Sequence, residues 1–443
     1  MIRDALDRVR SKGHEVVGAV VAGGEEKVSP GDWDQLGDLP VVAEGDADPR
    51  DLLWDAIHRY EPEAILDLSD EPVLDYRRRH EMAAVALYKG VPYEGSDFTF
   101  RPPDRPRLAS SPSLAIIGTG KRTGKTAIAG FAARRLRDEG HIPIVVAMGR
   151  GGPEEPEVLR GAEVDLTPEK LLELADSGKH AASDYIEDAL LGRVTTVGCR
   201  RCGGGLAGAV GVSNVGQGVA LANEQGGDFL LLEGSGSALP PVHADATGLI
   251  VPASVPSEYL LGYMGPFRLL LADFVMVTMC ENPFGTPSQI SATVSHIRSA
   301  WRPTRGEQEP ADEIQVVRTV FRPHPGRSIE GATVFVATTA PEAAAESLKR
   351  HLEREHGCEV KGISHSLSKR TKLKGELHDA RGGADVLLCE IKAAGIDVAT
   401  RWALDEGLEV VYMDNVPEGI DGDDPGAAIA WAARLATERY SDG

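Results

Sequence analysis

A glycine-rich loop between an apolar run and a helix-forming segment restricts the fold of this chain more than any other feature. The loop, GTGKRTGKT, spans residues 118–126; it follows the apolar run Leu114–Ile117 and opens the helix-forming segment Ala127–Arg137. Glycines let backbone N–H groups close around phosphate oxygens, and the helix N-terminus adds the positive end of its dipole. Strand, loop and helix in this order are typical of a phosphate-binding loop (P-loop) in a parallel α/β sheet. A glycine-rich turn without a ligand is the alternative, which the flanking strand and helix disfavour.

The residues of this loop have separable predicted roles. Lys125 is expected to reach the β- and γ-phosphates of a bound nucleotide, and Thr126 to ligate Mg²⁺. The common spacing has Gly where this chain has Thr119, so the pattern becomes G-x5-G-K-T from Gly118. Lys121 and Arg122 can neutralise charge on a transferring phosphoryl group, or can be solvated charges at a loop tip. We expect the nucleotide to be bound by Gly118, Thr119, Gly120, Arg122, Thr123, Gly124, Lys125 and Thr126, and catalysis to involve Lys121 and Lys125.

Length and composition limit the classes of protein to consider. At 443 residues, the chain is expected to form two or three domains. Its 42% apolar and 26% charged residues are typical of a soluble globular protein, and no apolar run approaches the roughly 20 residues of a membrane span. The start, MIRDALDRVRSKG, lacks the apolar core of a signal peptide, and the five cysteines indicate reduced thiols, so we expect a cytoplasmic protein. The net charge of −21 opposes non-specific nucleic-acid binding, although such acidity also fits a salt-adapted host.

A proline-rich segment divides the chain. Four prolines fall within residues 101–112, which predicts a linker. Before it, helix-like and strand-like segments alternate. This alternation predicts a parallel α/β unit over residues 1–105 that starts with a helix, as if its first strand were missing. The P-loop unit is expected over residues 112–325 and a third α/β unit over residues 330–443, so the predicted fold class is α/β with the P-loop sheet in the centre.

Loops that follow the predicted strands of the central unit carry further candidates. Strand 142–147 leads to Arg150, strand 229–232 ends in Glu233, and strand 272–278 is followed by Asn282. Open α/β sheets bind ligands at the carboxyl ends of their strands. Glu233 is a candidate second ligand for Mg²⁺, or an ordinary solvated acid at a strand end. Asn282 is a candidate contact for the base of the nucleotide.

The segment GCRRCGGG, residues 198–205, allows three interpretations. A metal site would need a second pair of ligands at similar spacing, and a redox C-x-x-C motif would begin a helix after a strand. Paired arginines before three glycines can instead grip a phosphate. We therefore expect Arg200 and Arg201 to act on substrate phosphates as catalytic residues, with a structural turn as the alternative.

Cations elsewhere in the chain form a further group of candidates. Residues 361–374, KGISHSLSKRTKLK, hold five Lys or Arg and no acid, which suits a polyanionic small molecule or simply a solvated face. Aromatic residues are absent from these patches, so nucleic acid is not an expected partner. The expected substrate-binding residues are Arg150, Arg322, Lys369, Arg370 and Lys392.

Several blocks of the chain together resemble the cyclic 2,3-diphosphoglycerate synthetases. The blocks are GTGKRTGKTAIAG, VVAMGRGGPEEPEV, HAASDYIEDALLGRVTTVGCRRCGGGLAG, LLLEGSGSALPPV, RTVFRPHPG, CEIKAAGIDVA and MDNVP. The resemblance covers residues 15–430, and its most specific parts are GCRRCGGG and KAAGIDVA. It implies a homodimeric enzyme that uses ATP and Mg²⁺ to close an intramolecular phosphoanhydride in 2,3-diphosphoglycerate, with release of ADP and phosphate. It also implies a central domain similar to dethiobiotin synthetase.

Two alternatives of other kinds stay open. Another ATP-dependent ligase or kinase would act on a different acidic metabolite. A regulatory nucleotide switch or metal-insertion GTPase would read guanine with Asn-Lys-x-Asp after a strand, where this chain has Cys280-Glu281-Asn282-Pro283. A switch would also turn over nucleotide without any small-molecule substrate.

Overall fold

The structure, a computed structural model, describes residues 2–22, 36, 39–42, 47–164, 167–178, 181–301 and 313–442. The helices are α1 Ile2–Ser11, α2 Pro49–Tyr60, α3 Tyr76–Tyr88, α4 Lys125–Asp138, α5 Pro168–Asp176, α6 Asp184–Glu187, α7 Val215–Asn223, α8 Glu258–Leu261, α9 Gly265–Leu271, α10 Pro287–Ala300, α11 Ala345–His356, α12 Arg370–Asp379, α13 Arg401–Asp405 and α14 Pro425–Asp442. The strands are β1 Ala19–Val20, β2 Val41–Val42, β3 Ile65–Leu66, β4 Tyr93–Glu94, β5 Thr99–Phe100, β6 Ser113–Gly118, β7 Pro143–Gly149, β8 Glu157–Arg160, β9 Thr195–Cys202, β10 Val212–Ser213, β11 Phe229–Glu233, β12 Ala246–Pro252, β13 Phe274–Thr278, β14 Gln315–Pro325, β15 Thr333–Ala337, β16 Glu359–Ser364, β17 Val386–Glu390 and β18 Glu409–Gly419. Within these ranges, no helix is long and apolar enough to cross a membrane.

One large sheet organises the protein. Among the described residues, thirteen strands form it in the order β10-β9-β7-β11-β6-β12-β13-β14-β18-β17-β15-β16, with β8 paired to β9. All neighbouring pairs from β9 to β14 are parallel. The P-loop strand β6 therefore has β11 on one side and β12, β13 and β14 on the other. This arrangement brings the loops after these strands to one edge of the sheet.

Helices cover both faces of the central sheet, and the apolar composition of its strands reflects this. Every residue of β6 is buried. Ala115 and Ile117 point into one buried cluster with residues of α7 and α9, whereas Leu114 and Ile116 point into another with residues of α4 and α14. Parallel strands buried on both faces read as continuous apolar runs. The predicted fold class, α/β with a central parallel sheet flanked by helices, is confirmed.

Strand β14 joins the central and C-terminal parts of this sheet. Its first residues, from Gln315 to Arg318, pair in parallel with β13, and its last residues, from Thr319 to Pro325, pair antiparallel with β18. From β18 the sheet continues through β17 and β15 to β16. One sheet thus spans the two units that the sequence predicts, and a boundary at residues 325–330 stays a prediction that falls just after β14.

The N-terminal unit is built from much shorter strands. Among the described residues between 2 and 100, the elements follow the order α1-β1-β2-α2-β3-α3-β4-β5. Each of these strands has two residues, and they form two separate sheets, β1-β2 and β3-β4-β5. The β1–β2 and β3–β4 pairs are parallel, and the β4–β5 pair is antiparallel. Helix α3, which buries Met82 to Leu87, packs against α9 of the central unit. All the site residues predicted from the sequence lie outside this unit, between Gly118 and Lys392.

Candidate active site

The P-loop follows β6 and is shaped by Gly124 and Lys125. Gly124 has a φ of 93°, and a Cβ atom there would lie 2.3 Å from Cζ of Phe321. The side chain of Lys125 is buried, and its Nζ donates to the carbonyl oxygen of Gly120 at 2.6 Å and to Oγ1 of Thr123 at 3.2 Å. Burial lowers the pKa of Lys125 to about 8, because a buried ammonium is poorly solvated. The cation is therefore held inside the phosphate loop.

Two glycines of this loop give a matched test of the structure. In Gly124→Ala the new Cβ meets the Phe321 ring and the positive φ is strained, so we expect the free energy of unfolding to fall by about 1–3 kcal/mol. In Gly120→Ala a Cβ meets nothing within 4 Å, and we expect a change within about 0.5 kcal/mol. Urea unfolding of both variants measures this difference. Equal destabilisation by the two substitutions would contradict the loop geometry.

The hydroxyl of Thr126 and the carboxylate of Glu233 lie side by side. Strand β11 pairs in parallel with β6, with Glu233 opposite Ile116, which brings Glu233 to the P-loop edge. Thr126 Oγ1 donates to Glu233 Oε1 at 2.7 Å, while Glu233 Oε2 is buried without a hydrogen-bond partner. Burial, with a contribution from nearby Asp184, raises the pKa of Glu233 to about 8.

These oxygens fit a Mg²⁺ ion. Mg²⁺ is usually bound by one or two carboxylates together with substrate phosphates and water, and the unpartnered Oε2 of Glu233 is a buried oxygen that such an ion would satisfy. Within the described ranges, no group of three or more His, Cys, Asp or Glu side chains is arranged to hold a metal. The predicted pair, Thr126 and Glu233, is brought together, and its role as a metal site stays a prediction.

An acidic helical face beside the P-loop was missed by the sequence predictions. Asp184, Glu187 and Asp188 lie at i, i+3 and i+4 on α6 and the turn that follows it. Burial raises the pKa of Glu187 to about 7 and raises the pKa of Asp188 well above its usual range. Asp188 lies beneath α4, where a Cβ on Gly130 would be 3.6 Å from its Oδ1. The signal in the sequence was DYIEDALLG, in which acids at helical spacing alternate with apolar residues.

A cavity of about 790 Å³ opens over the P-loop, between the central and C-terminal units. The predicted site residues that line it are Lys121, Arg122, Thr123, Gly124, Lys125, Thr126, Arg150, Glu233, Arg322 and Lys392. The newly found acids Asp184 and Glu187 also line it. Lys392 Nζ, from the C-terminal unit, donates to Glu187 Oε2 at 3.1 Å. Gly118, Thr119 and Gly120 belong to the loop but lie outside the lining of the cavity.

Adjacent arginines on β9 point in different directions, as the pleat of a strand requires. Arg201 is buried; its guanidinium donates to the carbonyl oxygens of Ser235 at 2.6 Å and Gly203 at 2.9 Å, and its Nε has no partner. A Cβ on Gly236 would lie 3.2 Å from Arg201 Nη2 and 3.8 Å from Lys121 Cγ, so Arg201 lies just behind the cavity wall. Arg200 is exposed and pairs with Glu154 at 3.3 Å.

Three further predicted ligand contacts lie outside the cavity lining. Asn282, in the loop after β13, is exposed, although its neighbour Glu281 lines the cavity. Lys369 and Arg370 are exposed at the start of α12, and Arg370 forms an ion pair with Asp397 at 2.5 Å. The basic run is thus partly neutralised, by Asp397 from a distant segment and by the nearby acids Glu359 and Glu376. The ligand roles of these three residues stay predictions.

Arg322 lines the cavity but is already paired. Its guanidinium donates to both carboxylate oxygens of Glu281, with a distance of 2.9 Å between Nη2 and Oε2. A second acid, Glu418, lies 3.8 Å from its Nε. Its positive charge is therefore largely balanced within the protein, in contrast to Lys121 and Arg150, for which no ion pair is seen among the described residues.

Comparison with known proteins finds similar sequences over most of the chain. Models of the N-terminal, P-loop and C-terminal domains of cyclic 2,3-diphosphoglycerate synthetase match residues 1–101, 113–304 and 325–416. The chain is 46% identical over 426 residues to the cyclic 2,3-diphosphoglycerate synthetase of Rubrobacter xylanophilus. This alignment covers 95% of this chain and 92% of that protein. For the enzyme of the same name from Methanothermobacter thermautotrophicus the identity is 44% over 426 residues, with 95% and 90% covered.

A solved structure, LpxK from Aquifex aeolicus in complex with ATP, is much more distant, at 12% identity and a TM-score of 0.40 over 76% of this chain and 90% of that chain.

The family resemblance predicted from the sequence blocks is confirmed by the domain models and by relatives that are 42–46% identical over 95% of the chain. The chain belongs to the cyclic 2,3-diphosphoglycerate synthetase family.

Proposed function

We propose that the protein uses ATP and Mg²⁺ to synthesise cyclic 2,3-diphosphoglycerate from 2,3-diphosphoglycerate, with release of ADP and phosphate. The observation that carries the proposal is one cavity in which the P-loop and the Thr126–Glu233 pair meet the cations Lys121, Arg150 and Lys392. A nucleotide triphosphate and a second, highly anionic molecule can be held there together. The names of the relatives give cyclic 2,3-diphosphoglycerate as the product, which supports 2,3-diphosphoglycerate as that second molecule.

The proposed reaction has two steps. In the first, an oxygen of one substrate phosphate attacks the γ-phosphorus of ATP, and the bond to the ADP oxygen breaks. In the second, an oxygen of the neighbouring substrate phosphate attacks the phosphorus of the activated phosphate. A phosphoanhydride forms within the molecule, and inorganic phosphate leaves. Phosphates are already anionic nucleophiles near pH 7, so the steps depend on positioning and charge neutralisation rather than on a strong base.

The residues divide this work between them. Lys125 would hold the β- and γ-phosphates from inside the loop, where its buried ammonium is poorly solvated and interacts strongly with anions. Lys121, Arg150 and Lys392 would hold the substrate phosphates, and Arg201 would reinforce them from behind Gly236. Thr126 and Glu233 would hold Mg²⁺, which when bound supplies neutralisation of phosphate charge. Glu187 orients Lys392 through their ion pair.

The resemblance to the family also supports a homodimer in the cytoplasm. We propose in addition that residues 1–105, 112–325 and 330–443 are the domains of the protein, with the first domain outside the reaction cavity.

Substrate-dependent release of ADP tests the proposed function. ATP and Mg²⁺ are incubated with the protein, with and without 2,3-diphosphoglycerate, and the products are followed by phosphorus NMR. We expect ADP release only with 2,3-diphosphoglycerate, together with new phosphoanhydride signals. ATP hydrolysis that is indifferent to 2,3-diphosphoglycerate would overturn the proposal in favour of another acidic metabolite or a nucleotide switch.

The two arginines on β9 provide a substrate-specific prediction with a built-in control. Removing the buried guanidinium in Arg201→Ala should raise the KM for 2,3-diphosphoglycerate by roughly tenfold to a hundredfold, as expected for loss of a charged hydrogen-bonding group. The affinity for ADP should stay nearly unchanged. The sequence also predicts a catalytic role for Arg200, but this side chain is exposed, paired with Glu154 and outside the cavity lining, so Arg200→Ala should alter neither quantity by more than about twofold. Steady-state kinetics and ADP titration check this, and an unchanged KM in Arg201→Ala would remove Arg201 from the site.

A further inference from the structure

A buried arginine on helix α9 lies behind the wall of the reaction cavity. Arg268 is 4% exposed, and every described hydrogen bond from its guanidinium ends on a backbone carbonyl oxygen. Nε and Nη2 both donate to Ser237, at 3.1 and 2.7 Å, and Nη2 also donates to Leu206 at 3.0 Å. In the part of the chain that the structure describes, no acid forms an ion pair with Arg268.

A buried cation without an acid is costly to the fold. Burial lowers the pKa of Arg268 to about 10, so the side chain is still charged near pH 7. Apolar residues of similar volume often replace buried charges without loss of stability. The presence of the charge therefore favours a role in placing the backbone segments that it joins.

The segments joined by Arg268 are two loops. We call residues 203–211 the glycine loop and residues 234–239 the wall loop, because the first three residues of the latter line the cavity. Arg268 bonds to the glycine loop at Leu206 and to the wall loop at Ser237. Its planar fork can hold two such carbonyl groups in a fixed relation.

The two loops are also joined by contacts that do not involve α9. The backbone N–H of Leu239 donates to the carbonyl oxygen of Gly208 at 2.8 Å. Arg201 donates to the carbonyl oxygen of Gly203 in one loop and to that of Ser235 in the other. The positions of the cavity wall and of the Arg201 guanidinium behind it thus depend on how these loops are held together.

Helix α9 itself is fixed to the N-terminal unit, because α3 packs against it. The turn before α9 contains Tyr263 and Met264, whose φ values of 45° and 57° are unfavourable for residues other than glycine. Arg268 Nη1 donates to both of their carbonyl oxygens, at 3.4 and 3.1 Å. One guanidinium therefore connects the wall loop, the glycine loop and this strained turn.

We infer that Arg268 is a positioning residue for the proposed reaction, which keeps the wall loop and the glycine loop in the arrangement in which Arg201 acts on substrate phosphates. The inference rests on the proposed function. Arg268 does not line the cavity, so its effect reaches the substrate through the loops. Its described hydrogen bonds all end outside the P-loop, so nucleotide phosphates are held there without its help.

Two substitutions of different severity test this role. Arg268→Met removes every donor of the guanidinium but keeps an apolar stem, whereas Arg268→Lys keeps the charge without the planar fork. Arg434→Met, at an exposed position of α14, is the control. For each protein, KM and kcat for 2,3-diphosphoglycerate are measured by ADP release, and ADP affinity is measured by calorimetry with Mg²⁺.

We expect the KM for 2,3-diphosphoglycerate to rise by roughly tenfold or more in Arg268→Met, and by about threefold in Arg268→Lys, since misplaced groups bind poorly. ADP affinity should stay within about twofold of wild type in both, and Arg434→Met should match wild type. Hydrogen exchange should become faster in peptides that cover the glycine loop and the wall loop in Arg268→Met.

A wild-type KM in Arg268→Met would overturn the inference and leave the proposed function intact. A parallel loss of ADP and 2,3-diphosphoglycerate affinity would show a general structural defect, and it would also overturn the inference. If Arg268→Met does not fold, a wild-type KM in Arg268→Lys overturns it instead. ADP release by the wild-type protein that is independent of 2,3-diphosphoglycerate would overturn the proposed function itself.

Discussion

Lys125→Met should lose substrate-dependent ADP release by roughly a thousandfold, the upper range for removing one preorganised electrostatic group. The ammonium of Lys125 is buried within the P-loop, and it is bonded only to loop oxygens of Gly120 and Thr123. Because this ammonium is buried, its attraction for the β- and γ-phosphates is only weakly screened by water. Methionine keeps the length and apolar stem of the side chain, so the effect reports on the charge.

The fold of this variant should be intact. Burial already lowers the pKa of Lys125, which means that the charged form is costly in the folded protein, and an uncharged side chain should not destabilise it. Thermal unfolding of Lys125→Met checks this. Lys170→Met, an exposed lysine at the start of α5, serves as the control for activity. Turnover within about tenfold of wild type in Lys125→Met would contradict the role of the P-loop in the reaction.

Glu233→Gln should lower turnover by roughly a hundredfold or more and raise the Mg²⁺ concentration needed for half-maximal rate. Glutamine preserves the shape and the hydrogen bond from Thr126, but it removes the charge that a divalent ion needs. Rates measured across a Mg²⁺ series, at saturating ATP and substrate, separate a metal effect from a packing effect. An unchanged Mg²⁺ requirement would contradict the placement of the ion at Glu233.

The same substitution has a second readout in the absence of metal. The pKa of Glu233 is raised from 4.5 to about 8, so between these values the folded protein holds a proton that the unfolded chain has lost. Stability from this proton is present below the unfolded pKa and is lost as pH rises through the folded one, by up to about 1.4 kcal/mol per pH unit. In Mg²⁺-free buffer the unfolding free energy of Glu233→Gln should therefore fall less than that of wild type between pH 5 and pH 8. The difference should be about the pH-dependent contribution of one carboxyl group. Identical pH slopes would count against a buried, protonated Glu233.

The parts of the site that the sequence predicts are those set by local rules. The P-loop is contiguous in the chain, and Glu233 ends a buried run whose position beside β6 follows from parallel pairing. Lys392 follows β17, which runs antiparallel to β6 because β18 pairs antiparallel with β14 and in parallel with β17. The carboxyl end of β17 therefore faces those of β6 and β11 across the cavity, an arrangement that the sequence does not show. General properties of α/β sheets were sufficient for the P-loop and Glu233.

The remaining features depend on pairing between distant segments. The sequence shows that Arg200 and Arg201, as neighbours on a strand, must point to opposite faces. Which of the two is buried depends on the strands that pair with β9 and on the loop at Ser235, which accepts a hydrogen bond from Arg201. The charge of Arg370 is balanced by Asp397, and that of Arg322 by Glu281, through contacts between segments that are distant in the sequence.

The course of β14 has a consequence for how such a protein can be divided. Hydrogen bonds to β13 over its first residues and to β18 over the rest make this strand the connection between the two parts of the sheet. Cutting the chain after residue 325 would strip the partner from its second half and leave unpaired N–H and C=O groups along an open edge, which invites pairing with other chains. We therefore expect fragments ending there to aggregate, and the central and C-terminal units to have been inherited as one indivisible piece rather than exchanged as separate modules.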